Sequence, residues 1–197
     1  MASEIKANKI SPATGTAFTI GDSGDTFTVP SGATIVNSGT ATGFGGGKVL
    51  QCLTVQKTDS FTTSSATYVD VTDVTLDITP SATTSKILVI LNSKISGSAS
   101  GYPIYAQFLR DSTVIGSGTG SANEDCFASS QPWTDHSRYG FPADLNWLDS
   151  PSSTSALTYK MQVRAHTSAA VYVNRSTAVH TYGGDYATSL TLVEIGA

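Results

Sequence analysis

The residues best suited to ligand chemistry lie in an irregular stretch, residues 116–148, in the second half of the chain. This stretch combines aromatic rings with carboxylates and amides and shows no strand-like alternation. Aromatic rings can stack on the apolar face of a sugar ring, while a few polar side chains bind its hydroxyl groups. Long irregular segments in compact domains are often functional. We therefore predict a glycan-binding surface, with five candidate residues: Gln131, Trp133, Asp135, His136 and Tyr139.

The same aromatic residues have a structural alternative. Large aromatics are enriched in cores and subunit interfaces as well as in binding sites, so they could anchor the segment instead. Trp147 lies beside Leu145 and Leu148, which favours a core position for it. Trp133 and Tyr139 remain the better ligand candidates.

Two pairs of carboxylates in this stretch raise the question of hydrolysis. Asp125 with Asp135, or Glu124 with Asp144, could form the acid pair of a glycosidase. Closeness in sequence does not set the separation of two carboxyl groups, and nothing else indicates catalysis. We expect no catalytic residues and no enzyme.

The three histidines, His136, His166 and His180, are scattered and lack the spacing of a zinc site. A trimer axis could bring together three copies of His166 or His180, but solvated side chains are the simpler expectation. We predict no metal and no cofactor.

Gly21-Asp22-Ser23-Gly24 matches the nucleophile loop of trypsin-like proteases. Such a serine needs a histidine earlier in the chain, and none precedes Ser23. Asp22 and Asp25 also lack the ligand spacing of a calcium loop. We expect a turn whose side chains bind nearby backbone groups.

The longest apolar run, residues 86–91, predicts a strand at the centre of the fold. Because successive residues are apolar, both faces of this strand should be covered. Shorter segments also read as strands, and Asp111-Ser112 predicts a hairpin between two of them. The other predicted strands are 49–55, 68–71, 74–78, 103–110, 113–116, 157–165, 170–174 and 189–195. This pattern predicts an all-β fold, an antiparallel β-sandwich or jelly roll with almost no helix.

Charged residues make up 13% of the chain, about half of the usual ~25%. The net charge of -4 and the lack of a basic cluster argue against nucleic-acid binding. No run of apolar residues is long enough to span a membrane, and no signal peptide is evident. Cys52 and Cys126 are predicted to be free, half-buried thiols.

Residues 1–47 differ from the head, residues 48–197, and the glycines of residues 43–47 mark the boundary. The first segment alternates short apolar pairs with tight-turn sequences, which predicts short strands in a stem. So few apolar residues cannot build a core in one chain, so several chains should share one. The predicted stem core is Phe18, Ile20, Phe27, Val29 and Ile35. A disordered glycine- and serine-rich linker is the alternative.

Several head segments resemble a domain found in tail-fibre and other virion proteins of tailed phages, especially marine ones. The matching segments are GKVLQ (47–51), ITPSATTSKILV (78–89), LDSP (148–151), TYKMQVR (158–164), YVNRS (172–176) and SLTLVEI (189–195). Residues 24–45 also resemble the segment that precedes such heads. The resemblance implies a homotrimer in the virion, assembled in the bacterial cytoplasm. It also implies a stem that docks on other virion proteins and a head that can face host polysaccharide.

Two functions remain open at this point. The first is a short trimeric tail fibre whose head binds a host-surface glycan. The second is a capsid-decorating, cement or head-fibre protein with no ligand of its own. A typical long fibre has a larger amino-terminal anchor and shaft than this sequence contains, which leaves room for either a short fibre or a head-decorating protein.

Overall fold

The computed structural model describes most of the head and part of the segment before it. The described residues are 10, 12, 14–17, 19–34, 36, 49–99, 102–118, 125–130, 140–166, 169–176 and 184–196. The chain divides into two compact units, residues 1–44 and 45–197. The boundary predicted at residues 47 and 48 lies outside the described residues. No helix that could cross a membrane occurs in the described part of the chain.

Thirteen strands are found among the described residues, and all of their pairings are antiparallel. In chain order they are β1 (Val49–Lys57), β2 (Phe61–Thr63), β3 (Val69–Ile78), β4 (Lys86–Asn92), β5 (Lys94–Gly97), β6 (Ile104–Arg110), β7 (Thr113–Ile115), β8 (Ala128–Ser130), β9 (Phe141–Pro142), β10 (Leu145–Asp149), β11 (Leu157–Ala165), β12 (Val171–Val173) and β13 (Thr188–Ile195). The all-β prediction is confirmed.

The strands form a jelly roll. The first sheet has the order β1-β13-β4-β10, and the second has the order β3-β11-β6-β7, with β8 also paired to β6. Numbered in chain order, these eight main strands have the orders 1-8-3-6 and 2-7-4-5. This is the arrangement of two interleaved Greek keys that defines a jelly roll. A third sheet, β2-β12-β5-β9, contains four short strands. In the chain, β2 follows β1, β5 follows β4, β9 precedes β10, and β12 lies between β11 and β13.

Two regions expected to be irregular contain strands. The stretch 116–148 includes β8, β9 and β10, and the polar segment after β1 includes β2. β10 adds to the edge of the first sheet, where Leu145 pairs with Leu91 and Asp149 with Ile87. A polar sequence can form these strands because an existing sheet edge supplies the hydrogen bonds.

The core lies between the first and second sheets. On β4, Ile87, Val89 and Leu91 are fully buried, and they belong to one cluster with buried residues of β3, β6 and β11. Leu88 and Ile90, on the opposite face of β4, are only half-buried. β4 is therefore central, as predicted, but the prediction that both of its faces are covered is wrong within a single chain.

β3 is one strand with a bulge, where the sequence left open a strand or a hairpin. Thr75 pairs with Lys160 and Asp70 with Gln162, so the residues between them on β3 outnumber those on β11. Asp73 takes a positive φ of 62° within this bulge. The extra residues let Val71 and Val74, three positions apart, both face the core.

A buried charge pair joins the two main sheets. Asp149 of β10 accepts hydrogen bonds from Nη1 of Arg110 on β6, at 2.7 and 2.6 Å, and from Oη of Tyr159 on β11, at 2.6 Å. Asp149 is 6% exposed, and Tyr159 is fully buried. Burial, followed by the hydrogen bond to Asp149, raises the pKa of Tyr159 well above its usual value. Tyr159 therefore remains a donor to the carboxylate.

A second polar contact ties the end of β13 to the bend before β4. Glu194 is 1% exposed, and its carboxylate accepts from Nε2 of Gln51 at 2.6 Å and from N and Oγ of Ser81 at 2.7 Å each. Burial alone would raise the pKa of Glu194, but the polar groups of Ser85, Gln51 and Ser81 outweigh it and lower the pKa to about 2. The carboxylate stays ionised without a positively charged partner among these contacts.

This lowered pKa predicts an acid-sensitive contribution to stability. Because the folded pKa of Glu194 lies below the ordinary 4.5, the contribution is complete above about pH 4.5 and is lost as the pH falls towards about 2. The shift corresponds to about 3 kcal/mol, and screening by solvent near this end of β13 reduces the expected loss to about 2 kcal/mol. Urea unfolding of the parent and Glu194→Gln from pH 7 to pH 2.5 measures it. Their difference should shrink on acidification, whereas parallel profiles would contradict the assignment.

Asn174 fixes the junction between the first and third sheets. It is 1% exposed and has a positive φ of 64°. Its Nδ2 donates to the carbonyl oxygens of Lys57, at 2.9 Å, and Asp59, at 3.2 Å. Its Oδ1 accepts from Oγ1 of Thr188 at 2.7 Å. One side chain thus joins the end of β1 to the start of β13.

The amino-terminal unit contains the predicted tight turns, but its described residues form no strand. The amide of Asp25 bonds the carbonyl of Asp22 at 3.1 Å, and Oδ2 of Asp25 accepts from the amide of Asp22 at 2.8 Å. The prediction of a turn bound by its own side chains is confirmed. The short-strand prediction is wrong for the described residues of this unit, which have no described strand within the unit to pair with.

The predicted stem core is exposed where it is described. Ile20 is 65%, Phe27 67% and Val29 37% exposed, while Phe18 and Ile35 lie outside the described residues. Ile20, Phe27 and Val29 are thus not buried in a core within one chain.

Candidate functional site

The five predicted glycan ligands all lie in residues 131–139, outside the described residues. The strands on either side of them are described. Ser130 of β8 pairs with Ile104 in the second sheet, and Phe141 of β9 pairs with Ile95 in the third sheet. The segment that carries Gln131, Trp133, Asp135, His136 and Tyr139 therefore starts at one sheet and ends at another.

The outer face of the second sheet, beside β8, carries a row of linked polar side chains. Asp70, Gln162 and Gln107 are cross-strand neighbours on β3, β11 and β6. Nε2 of Gln162 donates to Oδ1 of Asp70 at 2.6 Å, and Nε2 of Gln107 donates to Oε1 of Gln162 at 2.5 Å. Nζ of Lys160 lies 2.9 Å from Oδ2 of Asp70. These contacts hold the side chains in a fixed arrangement.

Next to this row, Arg164 lies between two tyrosine rings. Its guanidinium carbon is 4.4 Å from the ring centre of Tyr105 and 5.6 Å from that of Tyr68. Nη1 of Arg164 also donates to the carbonyl of Ala66 at 3.2 Å. Tyr68 reaches towards the start of the irregular stretch, with Oη 3.5 Å from the carbonyl oxygen of Asp125.

We call this surface the polar face: Tyr68, Asp70, Tyr105, Gln107, Gln162 and Arg164. Burial acts to raise the pKa of Asp70, but hydrogen bonds from Gln162 and Lys160 outweigh it and hold the pKa below its usual value. Asp70 is therefore an ionised acceptor at neutral pH. An ionised carboxylate, amides and a guanidinium on a rigid sheet can bind the hydroxyl groups of a sugar.

The sequence did not reveal the polar face. Asp70, Gln107 and Gln162 are far apart in the chain, and each occupies an outward position of an alternating strand. A polar residue at such a position usually faces water alone. Only the register of three strands brings these side chains into contact.

Trp147 corrects one sequence-based expectation. It was expected in the core, but it is 41% exposed. It faces the same side of the sheet as its partner Val89, which is fully buried. β10 is the edge strand of the first sheet, so the outer side of the large ring remains in solvent.

The described residues do not support the predicted carboxylate pairs or a metal site. Asp144 accepts from the amide of Ser93 at 3.0 Å, which is a structural contact. Asp125 is exposed, while Glu124 and Asp135 lie outside the described residues. In the part of the chain that the structure describes, no three His, Cys, Asp or Glu side chains cluster as metal ligands. His166 lies against Tyr102, with 5.2 Å between the ring centres.

Comparison with known proteins finds no matching family model and no matching curated protein. Among solved structures, the chain is similar to the protein of infectious bursal virus derived T=1 particles, at 12% identity and a TM-score of 0.40, covering 75% of this chain and 36% of that one. It is similar to the infectious bursal disease virus Gx strain structure, at 14% identity and a TM-score of 0.37, covering 75% and 42%. The VP2 subviral particle of that virus matches at 11% identity and a TM-score of 0.38, covering 74% and 41%.

This chain therefore spans less than half of the length of each of these three proteins. Neither a family nor a function follows from similarity at this level.

Proposed function

We propose that this chain is a structural protein of a tailed-phage virion, a short trimeric fibre whose head binds a host-surface glycan. The resemblance of the segments at 47–51, 78–89 and 189–195 supports the phage context. The jelly roll also suits the proposal, because both viral shell proteins and lectins use this architecture. The protein is not an enzyme in this proposal, and it needs no cofactor.

The polar face carries the proposal of glycan binding. Asp70, Gln162 and Gln107 are already held by each other, so a sugar that binds them would order few side chains. β8 pairs along β6 at the edge of this face, and the aromatic-rich segment continues from its end. Rings from that segment would cover the apolar side of a sugar while the polar face binds its hydroxyl groups.

Trp133→Ala tests the ligand role of the aromatic segment. We expect it to weaken adsorption to host cells about tenfold, the effect of losing roughly 1.4 kcal/mol of stacking. Trp147→Ala is the matched control because Trp147 lies on the edge strand β10 and should leave adsorption unchanged. Competition between the purified variants and intact phage for host cells measures both. Equal adsorption by Trp133→Ala and the parent would contradict the role of Trp133.

Gln162→Ala tests the polar face directly. Removing this amide breaks the contacts to both Asp70 and Gln107, so we expect binding to purified host polysaccharide to fall about fivefold to tenfold. Thr158→Ala on the same strand, whose Oγ1 bonds Asp77 at 2.7 Å, is the control. Unchanged binding by Gln162→Ala would remove the polar face from the site.

The second candidate function is a decorating, cement or head-fibre protein without a ligand. The exposed Ile20, Phe27 and Val29 favour it, because apolar side chains on the amino-terminal unit suit docking on other virion proteins. In the fibre proposal the same residues serve the stem core and the attachment to the virion. If Gln162→Ala loses glycan binding but still attaches to the virus particle, the fibre is supported. If the parent protein attaches to the particle but binds no glycan, decoration is supported.

A further inference from the structure

The outer face of the first sheet carries an apolar row across all four strands. Cys52 of β1 pairs with Val193 of β13, Val193 with Leu88 of β4, and Leu88 with Leu148 of β10. Cys52 is exposed, Leu148 is 54% exposed, and Val193 and Leu88 are half-buried. A continuous apolar row of this kind on a sheet surface usually marks an interaction site. We call this row and the parallel row next to it the assembly face.

The next row of the assembly face is neutral. Thr54 pairs with Thr191, Thr191 with Ile90, and Ile90 with Asn146. Oγ1 of Thr191 donates to Oγ1 of Thr54 at 3.2 Å, which shows that these two side chains share the outer face. Of the described residues in the two rows, none is charged.

Charge distinguishes the two outer faces of the jelly roll. The second sheet presents Asp70, Lys160 and Arg164, whereas the charges next to the assembly face lie beyond its two ends, on Lys86 and Asp144. Nζ of Lys86 donates to Oγ of Ser150 at 2.8 Å. A surface that meets its own copies brings like charges together, which is unfavourable. A neutral face on a chain with 15 acidic residues therefore suits contact with copies of the same chain.

The central strand gives a second reason. The sequence of β4 is apolar on both sides, and its own chain buries only Ile87, Val89 and Leu91. Leu88 and Ile90 on the other side stay half-buried. Strands that are apolar on both sides normally lie between two packed layers. Another copy of the chain would supply the missing layer.

We propose that the assembly face packs around the axis of a homotrimer, against the same face of two further copies. This inference rests on the trimer of the proposed function and names its contact surface. Four strands about 4.8 Å apart make a face about 19 Å wide, and three such faces form a prism whose walls stand about 5.5 Å from its axis. That distance is about half of the roughly 10 Å between packed sheets, so the side chains fill the centre.

Val193→Lys tests the assembly face because it places three cations around the trimer axis. Val114→Lys is the matched control, since Val114 is also half-buried and faces outward, on β7 of the second sheet. Sedimentation velocity of the full chain at micromolar concentration should give a trimer for the parent and Val114→Lys and a monomer for Val193→Lys. Circular dichroism checks that each variant retains its strands.

Cys52 provides a test that needs no destabilising variant. In a Cys126→Ser background, maleimide should label Cys52 at least tenfold more slowly in the trimer than in chains diluted until they dissociate. A trimer that labels Cys52 rapidly, or that persists in Val193→Lys, would overturn the assembly face and leave the trimer of the proposed function intact. A monomeric parent chain would overturn both.

Discussion

Asp149→Asn is expected to lower the free energy of unfolding by about 3 kcal/mol, the lower end of the cost of breaking a buried ion pair from one side, because the side chain of Arg110 is 21% exposed. The substitution keeps the shape of the side chain but removes the charge that faces Arg110 at 2.6 Å. It also replaces one of the two acceptor oxygens by an amide NH2 group, so that Arg110 and the fully buried hydroxyl of Tyr159 must share the single oxygen that remains. Because these residues lie on strands of both main sheets, the loss should appear as a lower midpoint in urea unfolding.

Asp77→Asn is the matched control, since Asp77 is exposed and its carboxylate accepts a hydrogen bond from Oγ1 of Thr158 at 2.7 Å. It should cost less than about 1 kcal/mol. The triple variant Arg110→Met, Asp149→Leu, Tyr159→Phe should recover most of the lost stability because it leaves no charge buried alone. If Asp149→Asn costs no more than Asp77→Asn, the bridge does not hold the sheets together.

Asn174→Ala is expected to cost about 3 kcal/mol. It leaves the carbonyl oxygen of Lys57 without its donor in a buried site and that of Asp59 in a partly buried one, and it removes the acceptor for Thr188. It also places a Cβ residue with no compensating side-chain bonds at a φ of 64°. Urea unfolding at a fixed protein concentration measures the change, because assembly would make stability depend on concentration.

Asn174→Gly separates the two causes. Because glycine adopts a positive φ freely, Asn174→Gly should lose the side-chain hydrogen bonds without adding backbone strain. We expect Asn174→Gly to be more stable than Asn174→Ala by about 1 kcal/mol. If both variants unfold at the parent midpoint, Asn174 does not fix the junction of the sheets.

The strands with regular alternation could be predicted from the sequence. β4, β11, β13 and the β6–β7 hairpin alternate or are apolar throughout, and the structure places them where the pattern indicates. β10 was missed because its inward positions end in Asp149, which a polarity pattern assigns to solvent. The partner that makes this burial possible, Arg110, is on another strand and cannot be recognised from local sequence.

One part of the candidate site could also be predicted from the sequence, and the other part could not. Residue types alone could indicate the aromatic segment at 131–139, because its composition is unusual within a continuous stretch. The polar face could not be predicted, since Asp70, Gln107 and Gln162 meet only through strand register. The exposure of Cys52 could not be predicted either, because it depends on the position of β1 at the edge of the sheet. Cys126 is half-buried as expected, but Cys52 points outward from the edge strand β1.

The mass of the full chain in solution tests the central proposal, which is that this chain works as a set of copies. Sedimentation equilibrium at micromolar concentration should give three times the 20.4 kDa of one chain. The exposed Ile20, Phe27 and Val29 and the uncovered side of β4 would then have partners. A stable monomer of 20.4 kDa under these conditions would contradict the account.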